Sequence, residues 1–225
     1  RAGGTAMNID VFSDAICPWC WIGKRKLEQA LAQPGLEDIS VTWRAYQLYP
    51  ELPADGMDRA EFMQLRFGSG GGSGRSAMVE RLKAEGEAVG LALNFERATR
   101  MPNTLSAHRL LRWAHVQGGG TAQDRLLEAL FRRYFTEGED LGDEAVLASA
   151  VTEAGLDGTA AAAWLPTGEG TREVQHEVRW SRDNGITGVP CYVLPTGFGI
   201  PGAQDPETLA RFLRRGLEQW QSQNA

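Results

Sequence analysis

The sequence is short of cysteine, of basic charge and of long apolar runs, and each shortage removes a class of protein. Three cysteines in 225 residues are far too few for a secreted disulfide scaffold. No stretch approaches the roughly 18 consecutive apolar residues of a membrane-spanning helix, so no membrane partner is expected. Twenty-three basic against twenty-nine acidic side chains leave a net charge of -6. The basic footprint of a nucleic-acid binder is therefore missing, and no nucleic-acid partner is expected. What remains, 42% hydrophobic and 23% charged residues, is the composition of an ordinary globular chain with one large or two small domains.

Residues 1–6 precede Met7 without an apolar pattern and read as a tag or leader outside the fold. A charged start, an apolar core and a small-residue cleavage site do not follow one another here, so no secretory signal is expected and the reading is cytoplasmic. In that reducing compartment a close cysteine pair points to metal binding or redox chemistry.

Met7, Ile9 and Val11 alternate with polar residues, the period of a strand. Cys17-Pro18-Trp19-Cys20 follows, then a helix carrying Leu27, Ala30 and Leu31 that stops before Pro34-Gly35. Ile39, Val41, Trp43 and Ala45 alternate again. Residues 7–46 thus read as a βαβ unit with the cysteine pair where the first strand meets the helix. Helical spacing then recurs around Ala107–Ala114, Leu127–Tyr134 and Leu147–Ala154, with weaker segments near 57–67, 76–89 and 171–184. Gly68–Gly74 and Gly118–Gly120 read as flexible connections. Val189–Leu194 and Phe198–Ile200 return to strand, and Asp205-Pro206 opens a last helix striped with Leu209, Phe212, Leu213, Leu217 and Trp220. The expected class is α/β: a discontinuous βαβ-plus-ββα domain (7–50 and 186–225) with a large helical domain (51–185) inserted between the halves.

At a helix start, C-x-x-C places its sulfurs about one turn apart. With Cys17 as N-cap, Pro18 falls at the first helical position, where its missing N–H costs nothing. The Cys17 sulfur is then expected to face the free N–H groups of Trp19 and Cys20, which with the helix dipole favour a thiolate. Cys20, one turn inside, suits the resolving role. Structural zinc is the competing reading, but a closed site needs four ligands and no second pair accompanies the first; no metal is expected. Gly188-Val189-Pro190 is a second signal, because a proline opening an apolar run implies an edge strand or a fixed bend.

Cys17-Pro18-Trp19-Cys20 together with Gly188-Val189-Pro190 resembles the thioredoxin superfamily. The wider string, Asp10–Asp14, Trp21–Arg25, Asn103-Thr104 with Ala107–Leu110, Gly185–Pro190 and Gly202–Gln204, is similar to the FrnE-type branch of DsbA-like oxidoreductases. The resemblance implies a thioredoxin-like fold with a helical insertion. It implies Cys17 as nucleophile, Cys20 as resolving cysteine, Pro190 as a cis-proline beside them, and Pro18, Trp19 and Val189 as active-site support. The implied activity is thiol–disulfide exchange with protein or small-molecule thiols and disulfides. No bound cofactor is implied, glutathione is admitted as a thiol co-substrate, and a homodimer is the candidate assembly. The rival enzyme class is a glutathione-dependent isomerase of the 2-hydroxychromene-2-carboxylate type, or a polyketide-pathway enzyme; those isomerases usually keep a serine where Cys17 stands. A redox-linked chaperone or binding module is the third reading.

Cys191 departs from the family pattern. Sharing a strand face with Val189 and Val193, it is expected to be a small buried hydrophobe close to Cys17, outside the resting disulfide. His108, His115 and His176 lack metal-ligand spacing and are expected to be structural or surface residues, with His108 the candidate exception. Lys24, Arg25 and Lys26 are expected to form a solvated basic face.

Overall fold

The computed structural model describes residues 6–68 and 72–224. The alternating N-terminal segment forms β1 (Met7–Ser13), the cysteine motif opens α1 (Pro18–Leu31), and β2 (Ile39–Ala45) returns parallel to β1. Then come β3 (Met57–Asp58), α2 (Arg59–Phe67), α3 (Gly72–Glu87), β4 (Arg100–Met101) and the long α4 (Leu105–Arg132), which runs into a π-helical turn at Arg133–Glu137. Three shorter helices follow, α5 (Glu144–Glu153), α6 (Gly158–Trp164) and α7 (Thr171–Asp183). The chain ends in β5 (Cys191–Val193), β6 (Gly199–Pro201) and α8 (Pro206–Gln223).

The main sheet has the order β2-β1-β5-β6, with β5 antiparallel to both of its neighbours. Pro190 stands one residue before β5, so its missing N–H removes no ladder bond and β5 is an inner strand. Met7, Ile9 and Val11 on β1 and Tyr192 on β5 share the main core with residues of α1 and α8. On the other face Phe12 and Cys191 pack with Tyr46 and Ile186, and the Trp180 ring of α7 stacks on Phe12 at 5.5 Å. Helix α7, from within the range read as insertion, thus closes the second face of the sheet. Helix α4 is tied to β2 by a reciprocal amide pair: Gln123 accepts from Trp43 N–H and donates to its carbonyl, each at 2.9 Å.

Several helix boundaries follow the capping chemistry read in the sequence. Asp143 and Asp205 accept backbone N–H bonds at the starts of α5 and α8, and Gly155, at φ +82°, follows α5. Three expectations are corrected. Gly118–Gly120 is a kink inside α4: only Gly118 and Gly119 leave helical geometry. A Cβ on Gly120 would meet the Val41 carbonyl at 2.9 Å, so glycine lets α4 lie against β2. Of the Gly68–Gly74 connection, residues 69–71 lie outside the described residues, and Gly72 already belongs to α3. Lys24 is 2% exposed, its Nζ enclosed by the carboxylates of Glu28, Asp124 and Glu128. The expected solvated basic face is instead an ionic joint between α1 and α4.

Candidate active site

The β1–α1 junction is held by its own backbone. Cys17 N–H donates to the Asp14 carbonyl at 3.0 Å, and Cys20 N–H donates to the Cys17 carbonyl at 3.0 Å. Cys17 is the extended N-cap of α1 with Pro18 at the first helical position, as expected, but its side chain makes no capping bond. Its thiol instead donates to the Val189 carbonyl oxygen at 3.6 Å. A capping sulfur must accept, whereas here the S–H acts as donor, and Cys20 N–H is already occupied by a carbonyl. The expectation that the sulfur faces two free N–H groups is corrected on this point.

This bond brings together parts of the chain 172 residues apart. The Val189–Pro190 peptide is cis. Pro190 lies against α1 at Gly23, where an added Cβ would meet Pro190 Cγ at 2.8 Å and the Tyr192 hydroxyl at 2.7 Å. Tyr192 donates to the Gly23 carbonyl at 3.1 Å from the centre of the core. Cys17, Cys20, Pro18, Val189 and Pro190 therefore converge at one end of the sheet.

Cys17 and Cys20 are free, buried thiols at the N-cap and in the first turn of α1. Burial pushes the Cys20 thiol well above its ordinary range, and Cys17 adds to the rise. The Ser13 hydroxyl and the Asp14 backbone pull it the other way. Cys191 is also free and buried, but on the opposite sheet face from the pair's cluster, among Phe12, Tyr46 and Ile186. Burial raises its thiol too.

Trp19 is half-buried beneath the Arg81 guanidinium of α3, 5.3 Å above its ring. Trp21 turns away from the thiols. It is buried against Phe131 and Phe135 and donates to Glu128 at 3.0 Å.

His108 lies under the motif. Its Nε2 is 3.2 Å from Asp14 Oδ1, and the other carboxylate oxygen accepts Leu48 N–H at 2.8 Å. Asp14 is completely buried. Sequence reasoning named His108 as an exception but missed its partner; a carboxylate three residues before the first cysteine was the available signal.

Beside Ile16 and Pro18 opens an apolar chamber of about 540 Å³, walled by residues such as Leu48, Phe62, Met78, Leu82 and Phe135, with Arg59 and Arg75 among its few charges. Among the described residues, no three histidine, cysteine or acidic side chains group to hold a metal ion.

Comparison with known proteins places this geometry. A Streptomyces coelicolor structure, described as a probable DsbA oxidoreductase, is 30% identical, with a TM-score of 0.84 over 94% of this chain and 90% of its own. The cytosolic disulfide reductase DsbM from Pseudomonas aeruginosa, solved with GSH, is 18% identical with a TM-score of 0.66, over 94% and 99% of the two chains. The uncharacterized YwbO of Bacillus subtilis is 26% identical over 88% of this chain and 90% of its own. The model of the DSBA-like thioredoxin domain matches residues 8–214, and with so much of the sequence covered the chain belongs to the DSBA-like thioredoxin domain family.

Proposed function

We propose that the protein is a thiol–disulfide oxidoreductase working through Cys17 and Cys20. The observation that carries the reading is the Cys17 thiol at the start of α1, beside Cys20 and against the Val189 carbonyl. In the reducing direction the Cys17 thiolate attacks one sulfur of a substrate disulfide. A Cys17–substrate disulfide forms and the other substrate sulfur leaves as thiolate. Cys20 thiolate then attacks the Cys17 sulfur, closing the Cys17–Cys20 disulfide and releasing the second substrate thiolate. Two electrons pass from the pair to the substrate. Run backwards, the oxidised pair takes two electrons from a dithiol.

Val189 and Pro190 form the wall against which the mixed disulfide sits, and Pro18 and Trp19 border it. The apolar chamber beside Pro18 takes the apolar body of the substrate. A cytoplasmic setting, glutathione as thiol co-substrate and homodimer assembly belong to the same proposal.

Reduction of insulin by a dithiol in the presence of the protein tests it. Wild type accelerates the reaction and Cys17→Ser loses the acceleration. A Cys17→Ser protein as active as wild type overturns the reading and favours a binding or chaperone role.

A further inference from the structure

The step most hindered by this geometry is the second one. Cys20 is completely buried, its thiol must lose a proton before it attacks, and the substrate covers Cys17 at that moment. A proton path on another side meets both demands, and the structure contains the parts of one. A cavity of about 160 Å³ is lined by Ser13, His108, His115, Thr42, Gln123 and Glu177, among others. Among the described residues only three buried side-chain polar atoms lack an ordinary hydrogen-bond partner, and two of them, Ser13 Oγ and His115 Nδ1, belong to residues lining this cavity. Buried polar atoms without protein partners around a polar cavity mark a place for ordered water.

We propose that this cavity is a hydrated proton path serving Cys20, in which His108, held by Asp14, takes the proton that Cys20 gives up. The proposal rests on the thiol–disulfide reading above. Ser13 is the first link: it lines the cavity, its buried hydroxyl lacks a hydrogen-bond partner, and it stands beside Cys20. His108 Nε2 lies 3.2 Å from Asp14 Oδ1, so in the tautomer in which Nε2–H donates to that carboxylate it is Nδ1 that takes the proton. The charged and titratable groups facing this region are Asp14 from the β1–α1 junction, Arg44 from β2, Arg112 and His115 from α4, and Glu177 from α7, with Tyr49 and Tyr134 near Asp14 and Tyr192 near Cys20. Arg44 and Arg112 both reach Glu177 at the outer end, and the exposed Val116 lines the mouth.

In the step itself the Cys20 S–H bond breaks and its proton passes through Ser13 and water to His108. The Cys20 thiolate forms the S–S bond to Cys17 as the bond to the substrate sulfur breaks. The substrate leaves as thiolate, and the proton on His108 returns to solvent through the cavity. His108 is a general base acting through intervening groups, a positioning and relay residue for this reaction.

An aromatic disulfide reagent, 5,5′-dithiobis(2-nitrobenzoate), separates the two steps, because the reduced pair releases one coloured thiolate when Cys17 attacks and a second when Cys20 resolves. In a Cys191→Ala background, stopped-flow recording against pH measures both. His108→Gln is expected to slow the second release by about 10²-fold near neutrality, within the usual range of a general base. It is also expected to move the rise of that release to higher pH. Val116→Trp, which plugs the exposed mouth without touching either cysteine, is expected to slow the second release more than the first. Added imidazole is expected to restore part of the second rate in His108→Gln. If the parent gives two releases and Val116→Trp and folded His108→Gln both keep its second-phase pH profile, the path is overturned; if His108→Gln does not fold, an unchanged profile in Val116→Trp overturns it alone. If the parent gives no second release, the oxidoreductase reading itself fails.

Discussion

At the residue scale the account separates three cysteines that composition cannot distinguish. Cys17 and Cys20 share the main core cluster, whereas Cys191 faces Phe12 and Tyr46 across the sheet. Cys191→Ala is therefore expected to keep most of the insulin-reducing activity, and peptide mapping of the oxidised protein is expected to find Cys17 joined to Cys20. A dominant bridge to Cys191 would contradict the strand-face assignment. Asp14→Asn tests the buried carboxylate, which serves His108 and Leu48 N–H together. Weakening both contacts while keeping the shape is expected to cost about 1–3 kcal/mol in urea unfolding. The face of Cys191 was legible in the sequence, because alternation fixes it. The direction of the Cys17 thiol was not, because its acceptor belongs to the bend before β5, 172 residues away.

At the element scale, α1 owes its position to a missing side chain and an enclosed charge. Gly23 lets the helix close on Pro190 and Tyr192. Gly23→Ala is expected to cost about 1–3 kcal/mol through overpacking, and to slow disulfide exchange because the helix and the Pro190 wall are pushed apart. Unfolding curves and insulin turnover measured together check both. Lys24 ties α1 to α4, and Lys24→Met is expected to destabilise by about 1–2 kcal/mol; the partners' partial exposure to water keeps this below the cost of stranding fully buried charges. Despite its own burial, Glu28 is held below the ordinary carboxylate range by Lys24 and Arg25. Its contribution is therefore present above the unfolded value of about 4.3 and lost as pH falls through the lower folded value. The stability gap between wild type and Lys24→Met should accordingly narrow in acid. The elements themselves were legible where periodicity or caps were strong, as in β1, α1, β2, α5 and α8. The sequence did not reveal α6 as a separate helix, the two-residue β3–β4 ribbon, or the Gly118–Gly119 kink. Those depend on tertiary contacts: Gly120 is required by the Val41 carbonyl, and nothing in the local pattern announces it.

At the scale of the whole molecule, a four-stranded sheet is clothed by α1 and α8 on one face and α7 on the other, and α4 is bound to its β2 edge. No helix among the described residues is long and apolar enough to cross a membrane. The thioredoxin-like architecture was legible because both halves of its motif, Cys17–Cys20 and Val189-Pro190, are local strings. The apolar chamber was not, since its walls come from α2, α3, the π-helical turn and the β1–α1 junction, which only folding assembles. Met78 is 61% exposed and lines that chamber, so Met78→Glu is expected to raise KM for an apolar disulfide several-fold with little change in kcat. Equal effects on a small hydrophilic disulfide would remove the chamber from the account.

The central claim is that Cys17 makes the covalent bond to substrate and Cys20 breaks it. Its most direct test is mass-spectrometric mapping of the adduct formed when the reduced Cys20→Ser protein meets a disulfide substrate. The account predicts a stable mixed disulfide on Cys17, absent from wild type after turnover. An adduct confined to Cys191, or no adduct on Cys17 in a folded protein, would contradict it.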